Sequence, residues 1–143
     1  GATNLVTGIG TAYADSSPIV AITGQVATNM IGKDAFQETD VIGIITPITK
    51  YAFQPQRAEE IPQMVKNAFF ISSSGRPAPV LIDIPKDAQT GSADMVFPEK
   101  VNIRKKPPVT LADPVLIERA ANMLVNAEKP MIMTGGGVII GLY

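Results

Sequence analysis

The sequence contains no cysteine and no histidine. Disulfides, thiolate chemistry, zinc sites of the usual kind and Ser–His or Cys–His catalysis are therefore excluded. Charged residues are also scarce, at 17% of 143 residues with a net charge of −1. This balance argues against a nucleic-acid partner, because nucleic-acid binding needs a basic face. Neither a run of about 18 apolar residues nor a signal peptide is present, so we expect a cytoplasmic protein without a membrane partner.

Helical spacing of apolar residues alternates with short β-branched runs. Residues 3–14, 40–45 and 59–69 have the spacing or the flanking residues of helices. Residues 19–23 and 80–84 are instead short apolar runs, typical of strands buried on both faces. Residues 48–53 are also predicted to form a strand. The alternation predicts an α/β fold with a parallel, Rossmann-like sheet.

The organisation changes after the third predicted strand. Residues 87–110 have no period and contain three prolines, so they are predicted to be an interdomain linker. A second unit then begins, with Asp113 as helix cap and Pro114 in the first turn. A predicted strand at 131–134 follows, then a glycine turn at 135–137. Because residue 1 is not Met and the glycine turn should open a new element, we expect this sequence to be a piece of a longer chain.

Polar side chains follow the carboxyl ends of two predicted strands. In a parallel sheet these ends point the same way, so the loop 33–38 and residues 86–87 are expected to line one crevice. The alternative for each of these side chains is that it lies on the surface in contact with solvent and has no functional role, since charged groups are mostly exposed. The candidate groups are Lys33, Asp34, Gln37, Glu38, Arg76, Lys86 and Asp87.

Several stretches resemble one enzyme family. Residues 33–38 read Lys-Asp-Ala-Phe-Gln-Glu, and residues 75–87 read Gly-Arg-Pro-Ala-Pro-Val-Leu-Ile-Asp-Ile-Pro-Lys-Asp. Residues 1–4 are Gly-Ala-Thr-Asn, and Lys-Pro-Met at 129–131 precedes the triple glycine. Together these stretches resemble the large catalytic subunit of acetolactate synthase (acetohydroxyacid synthase).

The resemblance implies a function and a domain plan. The family condenses two 2-oxo acids (pyruvate with pyruvate or 2-oxobutyrate) with decarboxylation, in branched-chain amino-acid biosynthesis. It uses thiamine diphosphate, Mg²⁺ and FAD, and it forms homodimers or homotetramers, in some cases with a small regulatory subunit. Residues 1–86 would be the C-terminal half of the pyrimidine-binding domain, 87–110 an interdomain linker, and 111–143 the start of the central FAD-binding domain.

The resemblance also implies roles for individual residues. Phe36 and Gln37 match a pair beside the substrate channel and thiamine, and Lys86 matches a lysine at the mouth of that channel. The residues matched to FAD contacts are Arg76, Gly135, Gly136 and Gly137. Gly1 and Asn4 match the end of a turn near the aminopyrimidine of thiamine, and no residue of this chain matches a metal ligand.

Two features of the family are missing from this sequence. One is the glutamate that protonates the aminopyrimidine of thiamine. The other is the Gly-Asp-Gly…Asn motif that holds Mg²⁺ and the diphosphate. The isolated chain is therefore predicted to be inactive. The alternatives are another thiamine-diphosphate oxidase, decarboxylase or carboligase, or a non-catalytic FAD-binding or assembly fragment.

Overall fold

A computed structural model describes residues 1–94, 96–103 and 111–140. The chain divides into two compact units, residues 1–104 and 105–143. The helices of the first unit are α1 Val6–Ala14, α2 Val41–Ile45, α3 Ile61–Ser73 and α4 Lys86–Thr90, with short 3₁₀ turns at Ala2–Leu5, Thr28–Met30, Thr46–Ile48 and Ala58–Glu60. Its strands are β1 Val20–Gln25, β2 Tyr51–Phe53 and β3 Val80–Pro85, and the second unit contains α5 Pro114–Val125 and α6 Gly136–Ile140.

The first unit is built on a three-stranded parallel sheet in the order β1-β3-β2. The central strand β3 is covered on both faces, so Val80, Leu81 and Ile82 are all fully buried. Leu81 belongs to a cluster with Ile9 of α1 and residues of α2, whereas Val80 and Ile82 pack with Ala68 of α3. The predicted parallel α/β fold is thus confirmed.

Side-chain hydrogen bonds mark the ends of two helices. The Asp40 side chain accepts a hydrogen bond from the Gly43 N–H at 2.9 Å and caps α2. At the C-terminal end of α3, the Lys50 ammonium donates to the carbonyls of Ile71 and Ser74. A cation is favourable at this end of a helix, where the last carbonyls have no partner within the helix. The strand predicted at 48–53 is shorter in the structure, where β2 covers only Tyr51–Phe53. Its first predicted residue, Ile48, belongs instead to a 3₁₀ turn.

The segment predicted as an unstructured linker is partly ordered. It begins with helix α4, and residues 98–102 lie against α3. Lys66 donates to the carbonyls of Pro98 and Glu99, while the Asn67 amide exchanges two hydrogen bonds with the Asn102 backbone. The order of this segment comes from side chains of another element, which explains why its own sequence has no period. The domain boundaries themselves stay predictions.

The second unit confirms one prediction and contradicts another. Helix α5 begins as expected, with the Asp113 carboxylate accepting from the Val115 N–H at 2.9 Å. Residues 131–134, however, form no strand in the described residues 111–140. A strand needs a neighbour for its backbone hydrogen bonds, and these residues supply none. Gly136 and Gly137 form the first turn of α6 rather than a loop. No helix among the described residues is long and apolar enough to cross a membrane.

Candidate functional site

An open pocket lies where β1 and β3 end. It has a volume of about 490 Å³, and we call it the edge pocket. Its lining combines the end of β1, the loop 26–39 and the first residue of α4: Gly24, Gln25, Val26, Ala27, Met30, Phe36, Gln37 and Lys86. The structure therefore brings Phe36, Gln37 and Lys86 together, as the direction of parallel strands predicts. Lys33 and Asp34 belong to the same loop but do not line the pocket.

A carboxylate inside the loop 26–39 organises its turn. Glu38 accepts hydrogen bonds from the backbone N–H groups of Gly32, Lys33 and Ala35, the last at 2.8 Å. The bonds from Ala35 and Gly32 lower the pKa of Glu38, because they stabilise the ionised form. Gly32 has a φ of 80°, a conformation that glycine adopts without steric cost. The Glu38 side chain is thus a structural group and not a free acid.

The backbone at Gln37 has an unusual conformation. Its φ is 64°, in the left-handed region that costs a residue with a Cβ atom roughly 1–2 kcal/mol. A hydrogen bond from the Glu38 N–H to the Ala35 carbonyl at 2.9 Å closes the turn around it. The adjacent Phe36 side chain is 89% exposed, so an apolar ring stands in the mouth of the edge pocket. Strain of this kind is typical of functional sites.

A second carboxylate joins the loop to the other wall of the pocket. Asp87 accepts hydrogen bonds from the Thr28 N–H at 2.9 Å and from the Thr28 hydroxyl. These bonds lower the pKa of Asp87. The contact fixes the start of the loop beside α4, whose first residue is Lys86. Asp87 thus holds together the two walls that carry Gln37 and Lys86.

The sequence analysis missed a buried polar network beneath the pocket. Asp83 is completely buried in β3 and accepts hydrogen bonds from Thr23, Gln25 and Gln54. The only signal in the sequence is an aspartate within the apolar run Val-Leu-Ile-Asp-Ile. A buried carboxylate must find hydrogen-bond donors, but a single sequence does not show which residues provide them.

Arg76 lies at the opposite end of the sheet. Its Nε donates to the Ser16 hydroxyl at 2.8 Å, and its Nη2 donates to the Ala14 carbonyl at 3.3 Å. These partners are in the turn between α1 and β1, so Arg76 does not belong to the edge pocket. Its guanidinium is exposed, and Nη1 donates to no other residue among those that the structure describes, so it can reach a further acceptor. The predicted FAD contact remains a prediction.

The remaining predicted site residues lie at the starts of two helical segments. Asn4 donates its N–H to the Gly1 carbonyl at 3.1 Å, at the start of the first unit. Gly135, Gly136 and Gly137 lie in the second unit, where the Val138 N–H donates to the Gly135 carbonyl at 3.1 Å. Neither segment tests the predicted cofactor contacts. Among the residues described, no cluster of three or more His, Cys, Asp or Glu side chains could hold a metal ion.

Known proteins are similar to this sequence along almost its whole length. Residues 1–44 match the family described as thiamine pyrophosphate enzyme, N-terminal TPP binding domain. The probable acetolactate synthase large subunit of Methanocaldococcus jannaschii is 53% identical in an alignment 143 positions long, which covers 98% of this chain and 24% of that protein. The chain is homologous to a segment of acetolactate synthase large subunits.

Two further acetolactate synthase large subunits show the same pattern. The isozyme 3 large subunit of Escherichia coli is 48% identical over 97% of this chain and 25% of its own length. The large subunit of Corynebacterium glutamicum is 48% identical over 97% of this chain and 22% of its own length. The chain therefore spans about a quarter of the acetolactate synthase subunits that it matches. The resemblance given by the sequence motifs is confirmed.

Proposed function

We propose that this chain is the part of a thiamine-diphosphate-dependent acetolactate synthase that forms one wall of the substrate channel. The whole enzyme would condense pyruvate with pyruvate or 2-oxobutyrate and release carbon dioxide. The observation that carries the proposal is the edge pocket, where Phe36, Gln37 and Lys86 converge. Identities of 48–53% with acetolactate synthases support the choice of this reaction within the thiamine-diphosphate enzymes.

The chemistry of the three side chains fits an anionic 2-oxo acid. Lys86 carries the only positive charge in the lining of the pocket, and a cation there attracts a carboxylate and raises its local concentration. Gln37 can both donate and accept hydrogen bonds, so it can orient a carboxylate or a carbonyl group. Phe36 is exposed in this chain, and in the whole enzyme its apolar ring would exclude water from the reacting atoms.

The proposed cofactors are thiamine diphosphate, Mg²⁺ and FAD. Bound thiamine diphosphate would supply carbanion stabilisation for the decarboxylation. Since the described residues contain no metal-binding cluster, Mg²⁺ and the diphosphate would need residues outside them. The exposed guanidinium of Arg76 has a free donor and suits a flavin phosphate or carbonyl oxygen. Gly135, Gly136 and Gly137 are the other proposed FAD contacts, and Gly1 and Asn4 are proposed to lie near thiamine.

We also propose that the enzyme works as a cytoplasmic homodimer or homotetramer, in which a regulatory subunit can take part. Several large apolar side chains of the first unit support association, because they are exposed in this chain. These include Ile19, Ile22 and Phe69, with exposures of 42%, 59% and 61%.

The test is acetolactate formation by the full-length protein that carries this segment. With all three cofactors and pyruvate, we expect turnover, whereas the 143-residue chain should give none. Lys86→Gln should raise the KM for pyruvate about tenfold or more, because the attraction to the carboxylate is lost. The matched control is Lys33→Gln, which removes an exposed lysine that does not line the pocket. Its KM should stay within about twofold of wild type, as expected for an isolated surface charge.

Two other outcomes would redirect the proposal. Conversion of other substrates in place of acetolactate formation would favour another oxidase, decarboxylase or carboligase of the thiamine-diphosphate class. Binding of FAD without any turnover would favour a non-catalytic flavin-binding or assembly module. Equal effects of Lys86→Gln and Lys33→Gln on KM would contradict the role given to the edge pocket.

A further inference from the structure

Asp83 is a buried carboxylate that has no cationic partner among the described residues. Its exposure is 0%, and it lies in a strand whose other buried residues are apolar or proline. Its acceptor oxygens meet three neutral donors: the Thr23 hydroxyl at 2.7 Å, Gln25 Nε2 at 3.1 Å and Gln54 Nε2 at 3.2 Å. Burying a charge is costly, and a well-packed apolar residue often serves stability equally well. The carboxylate therefore needs an explanation besides packing.

The contacts of Gln25 supply that explanation. Its Nε2 donates to Asp83 and to the Thr39 carbonyl at 2.8 Å, while its Oε1 accepts from the Val26 N–H at 2.9 Å. Val26 is the first residue of the loop 26–39, and Thr39 is the last. One side-chain amide thus joins both ends of the loop to the end of β1. This loop carries Phe36 and Gln37 into the edge pocket.

The Asp83 carboxylate, the Thr39 carbonyl and the Val26 N–H together determine which way this amide points. A carboxylate only accepts hydrogen bonds, so it must face the NH₂ group of Gln25 and not its carbonyl oxygen. The carbonyl oxygen is then turned to Val26, and the second N–H of the amide is turned to Thr39. With an asparagine at position 83, the opposite orientation would also find a donor. In that orientation the Gln25 NH₂ would face the Val26 N–H, and the bond to Thr39 would be lost.

We propose that Asp83 is a positioning residue that, together with the Val26 and Thr39 backbone, fixes the orientation of the Gln25 side-chain amide and thereby closes the base of the loop 26–39. Asp83 reaches the edge pocket only through Gln25, because it does not line the pocket itself. Gln54 belongs to the same network and comes directly after β2, so the carboxylate connects all three strands below the loop. The hydrogen bonds that hold the loop do not depend on whether the protein is an enzyme. Only the expected change in KM and kcat rests on the proposed function.

The test compares two variants of the full-length protein that carries this segment. Asp83→Asn keeps the shape of the side chain and removes its acceptor-only character. We expect amide hydrogen exchange in the loop 26–39 to become about tenfold faster, as the net loss of one hydrogen bond implies. Exchange in α3 should change by less than about twofold, since α3 does not use this network. Pyruvate KM should rise more than kcat falls.

The matched control is Thr23→Val, which removes another donor to the same carboxylate. Thr23 contacts Asp83 but neither the loop nor the pocket. A purely structural role of Asp83 predicts similar exchange in the two variants, whereas positioning predicts faster loop exchange in Asp83→Asn alone. Unchanged loop exchange in Asp83→Asn, or the same loop effect in Thr23→Val, would overturn the proposal.

A third variant, Gln25→Met, keeps the proposal testable if Asp83→Asn does not fold. Gln25→Met retains a side chain of similar length but removes the amide that joins Val26 to Thr39. It should accelerate exchange in the loop 26–39 and leave α3 unchanged, and a loop with wild-type exchange would again refute the inference. A wild-type protein that forms no acetolactate would refute the proposed function without affecting this exchange comparison.

Discussion

Substitutions at Ile82 test whether the central strand is buried as described. Ile82 has no exposed surface and packs with Val80 and Ala68 between the sheet and α3. Ile82→Ala removes three carbon atoms, which at about 0.8 kcal/mol each is a transfer term of about 2.4 kcal/mol. The cavity adds to this term because the neighbouring Ala68 has only a methyl group, which is too short to fill it. We therefore expect a loss of about 3–5 kcal/mol in the unfolding free energy of the first unit.

Two smaller substitutions at the same position complete the series. Ile82→Val removes one methylene and should cost about 0.5–1.5 kcal/mol. Ile82→Thr has almost the shape of Ile82→Val, but its hydroxyl would lie in an apolar site. It should cost about 1–3 kcal/mol more than Ile82→Val. The threonine and valine variants thus form a matched pair that differs only in polarity.

The measurement is urea-dependent hydrogen exchange of peptides that contain β3, in the full-length protein that carries the segment. This method gives a local free energy of opening, so a two-state transition of the whole protein is not required. Equal costs for the valine and threonine variants would mean that water reaches Ile82. A cost below about 2 kcal/mol for Ile82→Ala would refute a tightly packed interface between the sheet and α3.

Three other predictions concern hydrogen bonds at two helix ends and within the loop 26–39. Lys50→Met removes the donors to the last carbonyls of α3 and should destabilise that end of the helix by about 1–2 kcal/mol, measured by exchange of its last amides. Asp113→Ala removes the cap of α5 and should cost about 1 kcal/mol, and unchanged exchange in α5 would contradict this. Because the folded-state pKa of Glu38 lies below its usual 4.5, its contribution is present above the unfolded pKa and is lost as the pH falls through the folded value. After correction for the pH dependence of pepsin itself with a reference peptide, the loop in wild type should be cut faster at pH 3 than at pH 5. In Glu38→Gln this step should be smaller, because Asp87 is then the remaining loop anchor whose pKa is lowered.

The sequence predicted those elements whose signals are local. The β-branched run of β3, the apolar stripe of α3 and the Asp113–Pro114 start of α5 each determine structure within a few residues of themselves. The failures involve distant partners. Residues 98–102 are held by side chains of α3, more than 30 positions earlier. The predicted strand at 131–134 would have needed a neighbouring strand that the described residues 111–140 do not contain.

In the candidate site, too, some contacts could be predicted from the sequence and others could not. That Gln37 and Lys86 would meet could be predicted, since the carboxyl ends of parallel strands share one edge. The contacts of Asp83 could not, because Gln25 and Gln54 are 58 and 29 positions away from it. A hydrogen bond between such distant side chains leaves no periodic pattern in the sequence. The fold places them, and the fold has to be known before the network can be recognised.

Hydrogen bonds to three carboxylates, rather than apolar packing, hold the loop 26–39 in place. Asp83 acts through Gln25 at the two ends of the loop, Asp87 binds it at Thr28, and Glu38 organises its turn. Since the anchors are at separate points, removing any one of them leaves two in place. A single substitution should therefore loosen the loop locally, and a double substitution should exceed the sum of its parts if the anchors support one another. Because these anchors are hydrogen bonds, the exposed Phe36 can keep its place beside the pocket without a hydrophobic core beneath it.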